Sequence, residues 1–393
     1  MEVRKVRDFI FLKDVLLLSL VAFGGPQAHI GMFIERLVNR RKYLTETELM
    51  ELYALCQFLP GPTSTQTITA IGFRLGGPRL AYLTLFVWAF PAVLVMTFAA
   101  ILVNYLNEFQ LNAKDFTRYI QPMAVGFVTY SAYMISSKIV NTKTAITLMV
   151  ISAVVSYFFN SPWLLPFMIL AGGAATTFKF KQMKRERKPR LQIEWANFVL
   201  FLAVPVGAAI IGGITHWLPI RLFENFYRNG SLIFGGGQVL IPLMYGEFVE
   251  FKEYLSSNEF LTGIALMQAL PGPLFSISAY VGGLTMRDYG MLGQLTGSLF
   301  SSLGIFLPGI FLIFFVIRFW DHFKHYRVVK ASLEGVNAVS AGLVVSAAIL
   351  LFKPIEVNPM NIGIIVCTIS ALIYNRIPAP IMILAGILAG VIF

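Results

Sequence analysis

The stretches QFLPGP at 57–62 and QALPGP at 268–273 place one Pro-Gly-Pro tripeptide inside each of two long apolar regions. Each proline lacks a backbone N–H and clashes with the preceding helical turn, and glycine adds backbone freedom. The tripeptide therefore predicts a break in a helix at both places. A broken backbone in an apolar region needs a physical reason, and the rest of the sequence supplies one.

The composition is that of a membrane protein. The 393 residues are 57% hydrophobic and only 13% charged, whereas an average soluble domain has about 25% charged residues. Apolar stretches of about 20 residues recur, and each is long enough to cross a bilayer. The sequence therefore predicts an all-α polytopic membrane protein, in contact with the lipid bilayer.

Charge and cysteine content exclude other classes of protein. The net charge of +11 fits basic cytoplasmic loops, so we expect no nucleic-acid partner. Cys56 and Cys367 lack metal-site spacing, and we expect neither a metal nor a cofactor. The apolar regions hold no paired carboxylates, histidine cluster or Ser-His-Asp pattern, so an enzyme is not expected.

An internal repeat covers the chain. FGGPQ at 23–27 aligns with FGGGQ at 234–238 at an offset of 211 residues, and the two Pro-Gly-Pro tripeptides share that offset. Such self-similarity indicates two copies of one structural unit. The predicted organisation is a first repeat (1–178), a basic cytoplasmic loop with a linker transmembrane helix (179–230) and a second repeat (231–393).

Equivalent loops carry opposite charges. ERLVNRRKYLTETE at 35–48 is basic, whereas GEFVEFKEYLSSNE at 246–259 is acidic. Because Lys and Arg favour the cytoplasmic side, the repeats are predicted to have inverted topology, with the N-terminus cytoplasmic and the C-terminus outside. Inverted repeats with broken helices are typical of transporters whose site lies near the membrane midplane.

The segments that contain the breaks are predicted to be re-entrant hairpins, although kinked full crossings remain an alternative. With hairpins, each half contributes four crossings and the linker helix makes a ninth. The predicted crossings are 80–103, 119–137, 144–159, 162–178, 195–217, 290–317, 331–351, 359–374 and 378–393.

A helix that begins at mid-membrane directs free N–H groups and a positive dipole end towards one point, which suits an oxyanion. The candidate substrate-binding residues therefore cluster at four breaks: Gly24, Gly25, Pro26 and Gln27; Gln57, Pro60, Gly61, Pro62, Thr63 and Ser64; Gly235, Gly236, Gly237 and Gln238; Gln268, Pro271, Gly272, Pro273 and Ser276. Any break could instead be a packing kink, and the glutamines could join helices. His29 is a weaker candidate for proton coupling.

FGGPQAHIGMF followed by LPGP, and FGGGQVLIPL followed by LPGP, resemble the chromate ion transporter family in its double-length, two-repeat form. The resemblance covers nearly the whole chain. It implies a prokaryotic inner-membrane protein that exports chromate and gives chromate resistance. Sulfate is a near-isostere of chromate and is a second candidate substrate.

Energy for transport must come from a gradient or a potential, since the sequence has no GxxxxGK[ST] motif for ATP. We therefore expect a secondary transporter. An oxyanion channel or an importer of the same fold stays open as the alternative, as does a homodimer.

Overall fold

The computed structural model describes residues 2–108, 117–159, 164–178, 195–234, 236–318, 327–374 and 377–392. These ranges contain helices and no strand, which confirms the all-α prediction for them. The basic run at 179–190 lies outside the described residues.

Sixteen α-helices are described, in two groups around one linker helix. The first group is α1 (Glu2–Ser19), α2 (Gly25–Phe33), α3 (Glu46–Phe58), α4 (Thr63–Glu108), α5 (Ile120–Ile139), α6 (Lys143–Phe158) and α7 (Leu164–Thr177). The linker helix is α8 (Ala196–Thr215). The second group is α9 (Leu218–Leu232), α10 (Leu240–Met244), α11 (Ser257–Ala269), α12 (Ile277–Thr285), α13 (Gly290–Val316), α14 (Arg327–Phe352), α15 (Pro359–Ile373) and α16 (Ala379–Ile392).

Several local features recur in both halves at the offset of 211 residues. A seven-residue π-helix follows α2 at Ile34–Arg40 and α10 at Tyr245–Phe251. Each π-helix is followed by a residue with φ of +53°, Lys42 or Glu253. The repeat is therefore a repeat of backbone conformation as well as of sequence.

The helices that lead into the Pro-Gly-Pro breaks begin in the same way. The Thr45 hydroxyl accepts from the N–H of Glu48 at 3.3 Å, and the Glu48 carboxylate accepts from the N–H of Thr45 at 2.7 Å. Ser256 and Glu259 form the matching capping box ahead of α11, at 3.2 and 2.9 Å. Each box satisfies two backbone N–H groups at a helix start that have no partner within the helix.

Within the described ranges, four helices have the length and apolar character of a membrane span, and five shorter apolar helices accompany them. The four are Thr63–Leu106, Ala196–Thr215, Arg287–Val316 and Ala331–Phe352. Within the first, the helix changes direction at Gly77, whose φ and ψ are +76° and −166°. Gly290 has nearly the same angles, +67° and −166°, at the start of α13. These two glycines separate the return arm of a hairpin from the span that follows it.

The two halves interlock. Helix α14 packs against α5, α6 and α7 of the first half, and α4 packs against α12 and α13 of the second. Close approach depends on small residues, since a Cβ on Gly335 would lie 1.8 Å from the carbonyl oxygen of Gly172. Helices in membranes commonly approach at such small residues.

Helix α9 was not predicted, and all but its last two residues fall within the predicted linker (179–230). It packs against α13 and α8 and leads directly into the break at 233–236. By the offset of 211 residues it corresponds to α1. Its polar residues Asn225, Arg228 and Asn229 interrupt the apolar sequence, so it does not form an apolar run that would predict a membrane helix.

Candidate functional site

The breaks of the two halves are joined by a reciprocal pair of backbone hydrogen bonds. The N–H of Gly61 donates to the carbonyl of Ile233, and the N–H of Gly272 donates to the carbonyl of Ala22, both at 2.8 Å. Donors and acceptors are each 211 residues apart. A reciprocal contact of this kind is what a two-fold relation between the halves would produce at their broken segments, the tips.

Glycine is required at both donor positions. The φ values are +119° for Gly61 and +109° for Gly272, which an L side chain rarely adopts. A Cβ on Gly61 would also lie 2.7 Å from Nε2 of Gln66. The two glycines therefore join the tips to each other, and their amides are occupied by carbonyls of the protein.

Four helix starts surround the tips. Helix α2 begins at Gly25, after Gly24 in a left-handed conformation, and α4 begins at Thr63. In the second half, short 3₁₀ turns begin at Gly237 and Leu274. The prediction of a helix that begins at each break is confirmed, with Pro62 directly before the first residue of α4. Positive helix ends thus surround one region.

A narrow cavity lies between these starts. Its volume is about 10 Å³, which is close to the least that holds one water molecule. It is lined by Gly25, Pro26, His29, Pro62, Thr63, Ser64, Thr65, Gly237, Pro273, Leu274 and Phe275. Seven of the predicted site residues are in this lining: Gly25, Pro26, Pro62, Thr63, Ser64, Gly237 and Pro273.

The other predicted residues lie near the tips but do not line the cavity. The half-buried ones are Pro60, Gly236, Gln238, Gln268 and Pro271, and the exposed ones are Gly24 and Gln57. Gly61 and Gly272 form the backbone bonds described above, and Ser276 is buried in the same 3₁₀ turn as Leu274 and Phe275 without being part of the lining. Gly235 and the side chain of Gln27 lie outside the described residues.

The cavity is chemically one-sided in spite of the repeat. Thr63 and Ser64 contribute hydroxyls from the first half, and Thr65 adds a third. The residues 211 positions after Thr63 and Ser64 are Leu274 and Phe275, which are apolar. Side-chain donors for a ligand therefore come from the first half, while the second half contributes apolar side chains and its two helix starts.

His29, Thr65 and Trp88 are parts of the site that were not among the predicted binding residues. Nδ1 of His29 lies 3.0 Å from the Ser64 hydroxyl, and Nε2 lies 3.0 Å from the carbonyl oxygen of Ala22. Nε1 of Trp88 donates to the Thr65 hydroxyl at 3.2 Å. The position of His29, two residues after FGGPQ, was the sequence signal for it; no comparable signal marks Trp88.

Away from the cavity, each hairpin with a glycine break is closed by a buried carboxylate. In the first half, Asp14 on α1 accepts from Arg36 at 2.7 Å, from Arg41 at 2.8 Å and from the hydroxyl of Tyr43 at 2.9 Å. Burial, followed by this hydrogen bond, raises the pKa of Tyr43 to about 12. These contacts hold α1 against the end of the π-helix and so close the hairpin.

The second hairpin has the same closure with the carboxylate on the opposite arm. Glu247 accepts from Arg228 at 2.5 Å, from Lys252 at 2.8 Å and from Asn229 at 3.0 Å. Glu247 occupies the position equivalent to Arg36, 211 residues later. A carboxylate bound by cations thus recurs, although the residues that provide it have changed places.

Arg74 and Arg287 are each paired with a carboxylate. Arg74 binds the Glu48 carboxylate, and Arg287 binds that of Glu259 at 2.6 Å. Both pairs lie at the base of a Pro-Gly-Pro hairpin and away from the cavity.

A helical protein with two related halves, whose broken helices meet at one small polar cavity, has the construction of a membrane transport protein. The chain belongs to the chromate transporter family, whose sequence profile matches residues 10–177 and 220–391. The second match begins within α9, close to its first residue.

Relatives span nearly the whole chain. The chain is 26% identical to the probable chromate transport protein of Synechococcus elongatus, over 96% of this chain and 93% of the relative. It is 23% identical to the chromate transport protein of Cupriavidus metallidurans, over 96% and 91%. It is 26% identical to an uncharacterized transporter of Methanocaldococcus jannaschii, over 85% and 82%. No solved structure matches the chain.

Proposed function

We propose that the chain is a secondary transporter that exports chromate across the prokaryotic inner membrane and thereby gives chromate resistance. The observation that carries this proposal is the convergence of four helix starts on one cavity with three hydroxyl groups. Sulfate, which shares the tetrahedral shape and charge of chromate, is the competing substrate. The names of the relatives in Synechococcus elongatus and Cupriavidus metallidurans support chromate as the ion.

Binding relies on neutral donors. Hydroxyls of Thr63, Ser64 and Thr65 donate to the anion's oxygens, and the helix starts stabilise its negative charge. No Lys or Arg is among the described residues that line the cavity. A site without a fixed cation holds a dianion less tightly, which favours its release on the far side.

The cavity is too small for a tetrahedral oxyanion in this conformation, so transport requires the tips to separate. The bonds from Gly61 to Ile233 and from Gly272 to Ala22 are the contacts that must yield. Because the two bonds are equivalent in the repeat, breaking one or the other opens the cavity in two equivalent ways. This is the arrangement that alternating access requires.

The membrane arrangement is part of the proposal. The repeats are inverted, the tips are re-entrant, the N-terminus is cytoplasmic and the C-terminus is outside. The opposite charges of the loops at 35–48 and 246–259 support this orientation. An inside-negative potential then assists export of a dianion by about 2.3 kcal/mol per charge per 100 mV.

The test is chromate flux in proteoliposomes that hold the purified protein. A potassium gradient with valinomycin sets the potential, and labelled chromate is followed in both directions. We expect saturable flux that is driven by the potential and competed by sulfate. Flux that never saturates would indicate the channel alternative, and potential-independent accumulation in the inward direction would indicate an importer. Protein-free liposomes provide the baseline.

A further inference from the structure

His29 is the one titratable side chain among the described residues that line the cavity. It is buried, with 1% of its surface exposed. It lies on α2, directly after the first glycine break, and its position in the second half is taken by Leu240. An ionisable group has therefore been placed in one half only, on the side that also carries the hydroxyls.

The hydrogen bonds of His29 define which nitrogen carries a proton. The partner of Nε2 is the carbonyl of Ala22, which can only accept, so Nε2 carries a hydrogen in every charge state. The partner of Nδ1 is the Ser64 hydroxyl, which can donate or accept. With neutral imidazole, Ser64 must donate to Nδ1, and its single hydrogen is then turned away from the cavity.

Protonation reverses this bond. The imidazolium donates from Nδ1 to Ser64, and the Ser64 hydrogen becomes free to bind an anion oxygen. A positive charge also appears one hydrogen bond away from that hydroxyl. We propose that His29 takes up a proton when the oxyanion binds, so that each anion moves with one proton. This inference rests on the proposed function, since it concerns how the same cavity holds its substrate.

The groups that face His29 contain no competing charge. From α4 they are the hydroxyl of Ser64 and the indole of Trp88, whose ring centre lies 5.4 Å from that of the imidazole. From the preceding break the group is the carbonyl of Ala22. Because no carboxylate or cation is among the described groups that contact His29, the oxyanion itself is the charge that stabilises the imidazolium.

The same proton is linked to the contact between the halves. The Ala22 carbonyl accepts from Nε2 of His29 and also from the N–H of Gly272. An imidazolium donates a stronger hydrogen bond than a neutral imidazole does. Protonation of His29 therefore changes the Ala22 carbonyl, which also accepts the hydrogen bond from Gly272. Anion binding, proton uptake and the tip contact therefore share one connected set of atoms.

The proton can be counted directly on the purified full-length protein. Chromate is titrated calorimetrically in two buffers of different ionisation enthalpy, between about pH 6 and pH 9, a range that covers the usual histidine titration. We expect uptake of about one proton per chromate, and an affinity that falls about tenfold per pH unit where the free protein holds His29 neutral.

Two variants make the count specific. His29→Gln retains a hydrogen-bonding side chain but cannot become charged; we expect it to bind more weakly, without the protein's share of proton uptake. Subtracting its titration removes protons taken up by chromate itself. His216→Gln is the matched control, because this exposed histidine ends α8; proton uptake should equal that of the wild type.

The outcomes separate the two proposals. Wild-type protein that binds no chromate overturns the proposed function and this inference with it. Wild-type protein that binds chromate without proton uptake overturns this inference alone, as does a His29→Gln variant with unchanged uptake. If His29→Gln does not fold, the test is the proton uptake of the wild type near the alkaline end of the pH range. Free chromate is fully deprotonated there, and absence of proton uptake would overturn this inference. In flux experiments, coupling to one proton halves the dependence on membrane potential.

Discussion

The backbone N–H of Gly61 donates to the carbonyl of Ile233 at 2.8 Å, which joins the Pro-Gly-Pro break of one half to the glycine break of the other. Its counterpart runs from Gly272 to Ala22. Each half therefore completes the broken backbone of its partner. A peptide group without a hydrogen-bond partner costs free energy in the hydrocarbon region of a membrane. These four backbone groups hydrogen-bond to one another and need no water.

Substitution of either donor glycine should disrupt the tips. Gly61→Ala and Gly272→Ala force an L side chain into positive φ, a strain of roughly 1–3 kcal/mol. On Gly272 the new Cβ also meets the Cβ of Ala92 at 3.0 Å. We expect a lower Tm in detergent and loss of chromate flux.

The matched control for these glycines is Gly207→Ala in α8, where a Cβ would meet open space. That substitution should leave Tm and flux close to wild type, or raise Tm slightly, since alanine favours a helix. Normal flux from Gly61→Ala at a normal Tm would show that the reciprocal bond is dispensable.

The one-sided cavity predicts unequal effects of removing hydroxyls. Thr63→Val deletes a cavity hydroxyl, and loss of a hydrogen bond to a charged ligand costs about 1.5–3 kcal/mol, or roughly 10-fold or more in affinity. Ser276→Ala deletes a buried hydroxyl of the second half that does not line the cavity. We expect its chromate affinity to stay within about threefold of wild type. The measurement is chromate binding at matched protein concentration.

Equal losses in the two variants would instead favour a symmetric site that Ser276 reaches once the tips have separated. Normal binding by both would remove these hydroxyls as ligands. Protein yield and Tm accompany each measurement, because Thr63 and Ser276 are both buried and a packing defect must be recognised as such.

The sequence predicted the helical class and the breaks because both follow from local chemistry. A Pro-Gly-Pro tripeptide breaks a helix through its own backbone chemistry, so the helix start at Thr63 could be predicted from LPGP. Pairing of the tips was not readable, since Gly61 and Ile233 are 172 residues apart and meet only through the packing of both halves.

The functional residues that sequence analysis underweighted depend on tertiary contacts. His29 gains its significance from the Ser64 hydroxyl and the Ala22 carbonyl, neither of which its sequence neighbours reveal. Gln57 was predicted as an amide donor ahead of the first Pro-Gly-Pro break, yet its position on α3 leaves it exposed. A repeat identifies equivalent positions but does not say which half contributes the ligand groups.

Cysteine labelling tests the inverted orientation. Asn39 and Asn258 are exposed residues of the same type in the basic and acidic loops. In a background with Cys367→Ser, since Cys367 is exposed and Cys56 is buried, Asn39→Cys and Asn258→Cys should react with a membrane-impermeant thiol reagent from opposite sides.

Intact cells and inverted vesicles give the two readings for this labelling. We expect Asn258→Cys to react in intact cells once the outer barrier is permeable, and Asn39→Cys to react in inverted vesicles. The cysteine-depleted parent shows the background. Reaction of both positions from one side would contradict inverted repeats and would place the loops in a parallel arrangement.

The buried carboxylates should matter more for stability than exposed ones of the same type. Glu247 has 1% of its side chain exposed and binds Arg228 and Lys252, whose side chains are only 15% and 18% exposed. Glu247→Gln keeps the shape but removes the carboxylate charge that Arg228 and Lys252 contact directly. Removing one partner of a buried pair costs about 3–5 kcal/mol. We therefore expect Tm to fall by at least several degrees, measured by intrinsic fluorescence in detergent.

The control uses the same substitution at an exposed pair. Glu35 is exposed and forms an ion pair with Arg40 on the solvent-exposed surface, so Glu35→Gln should leave Tm unchanged. Asp14→Asn, which gives the first half the residue that Asn225 supplies in the second, should lower Tm in the manner of Glu247→Gln, because Asp14 is fully buried between Arg36 and Arg41. If Glu247→Gln and Asp14→Asn have the same Tm as the wild type, the carboxylates do not hold the hairpins closed. The bound carboxylate that recurs in both halves would then have no role in stability.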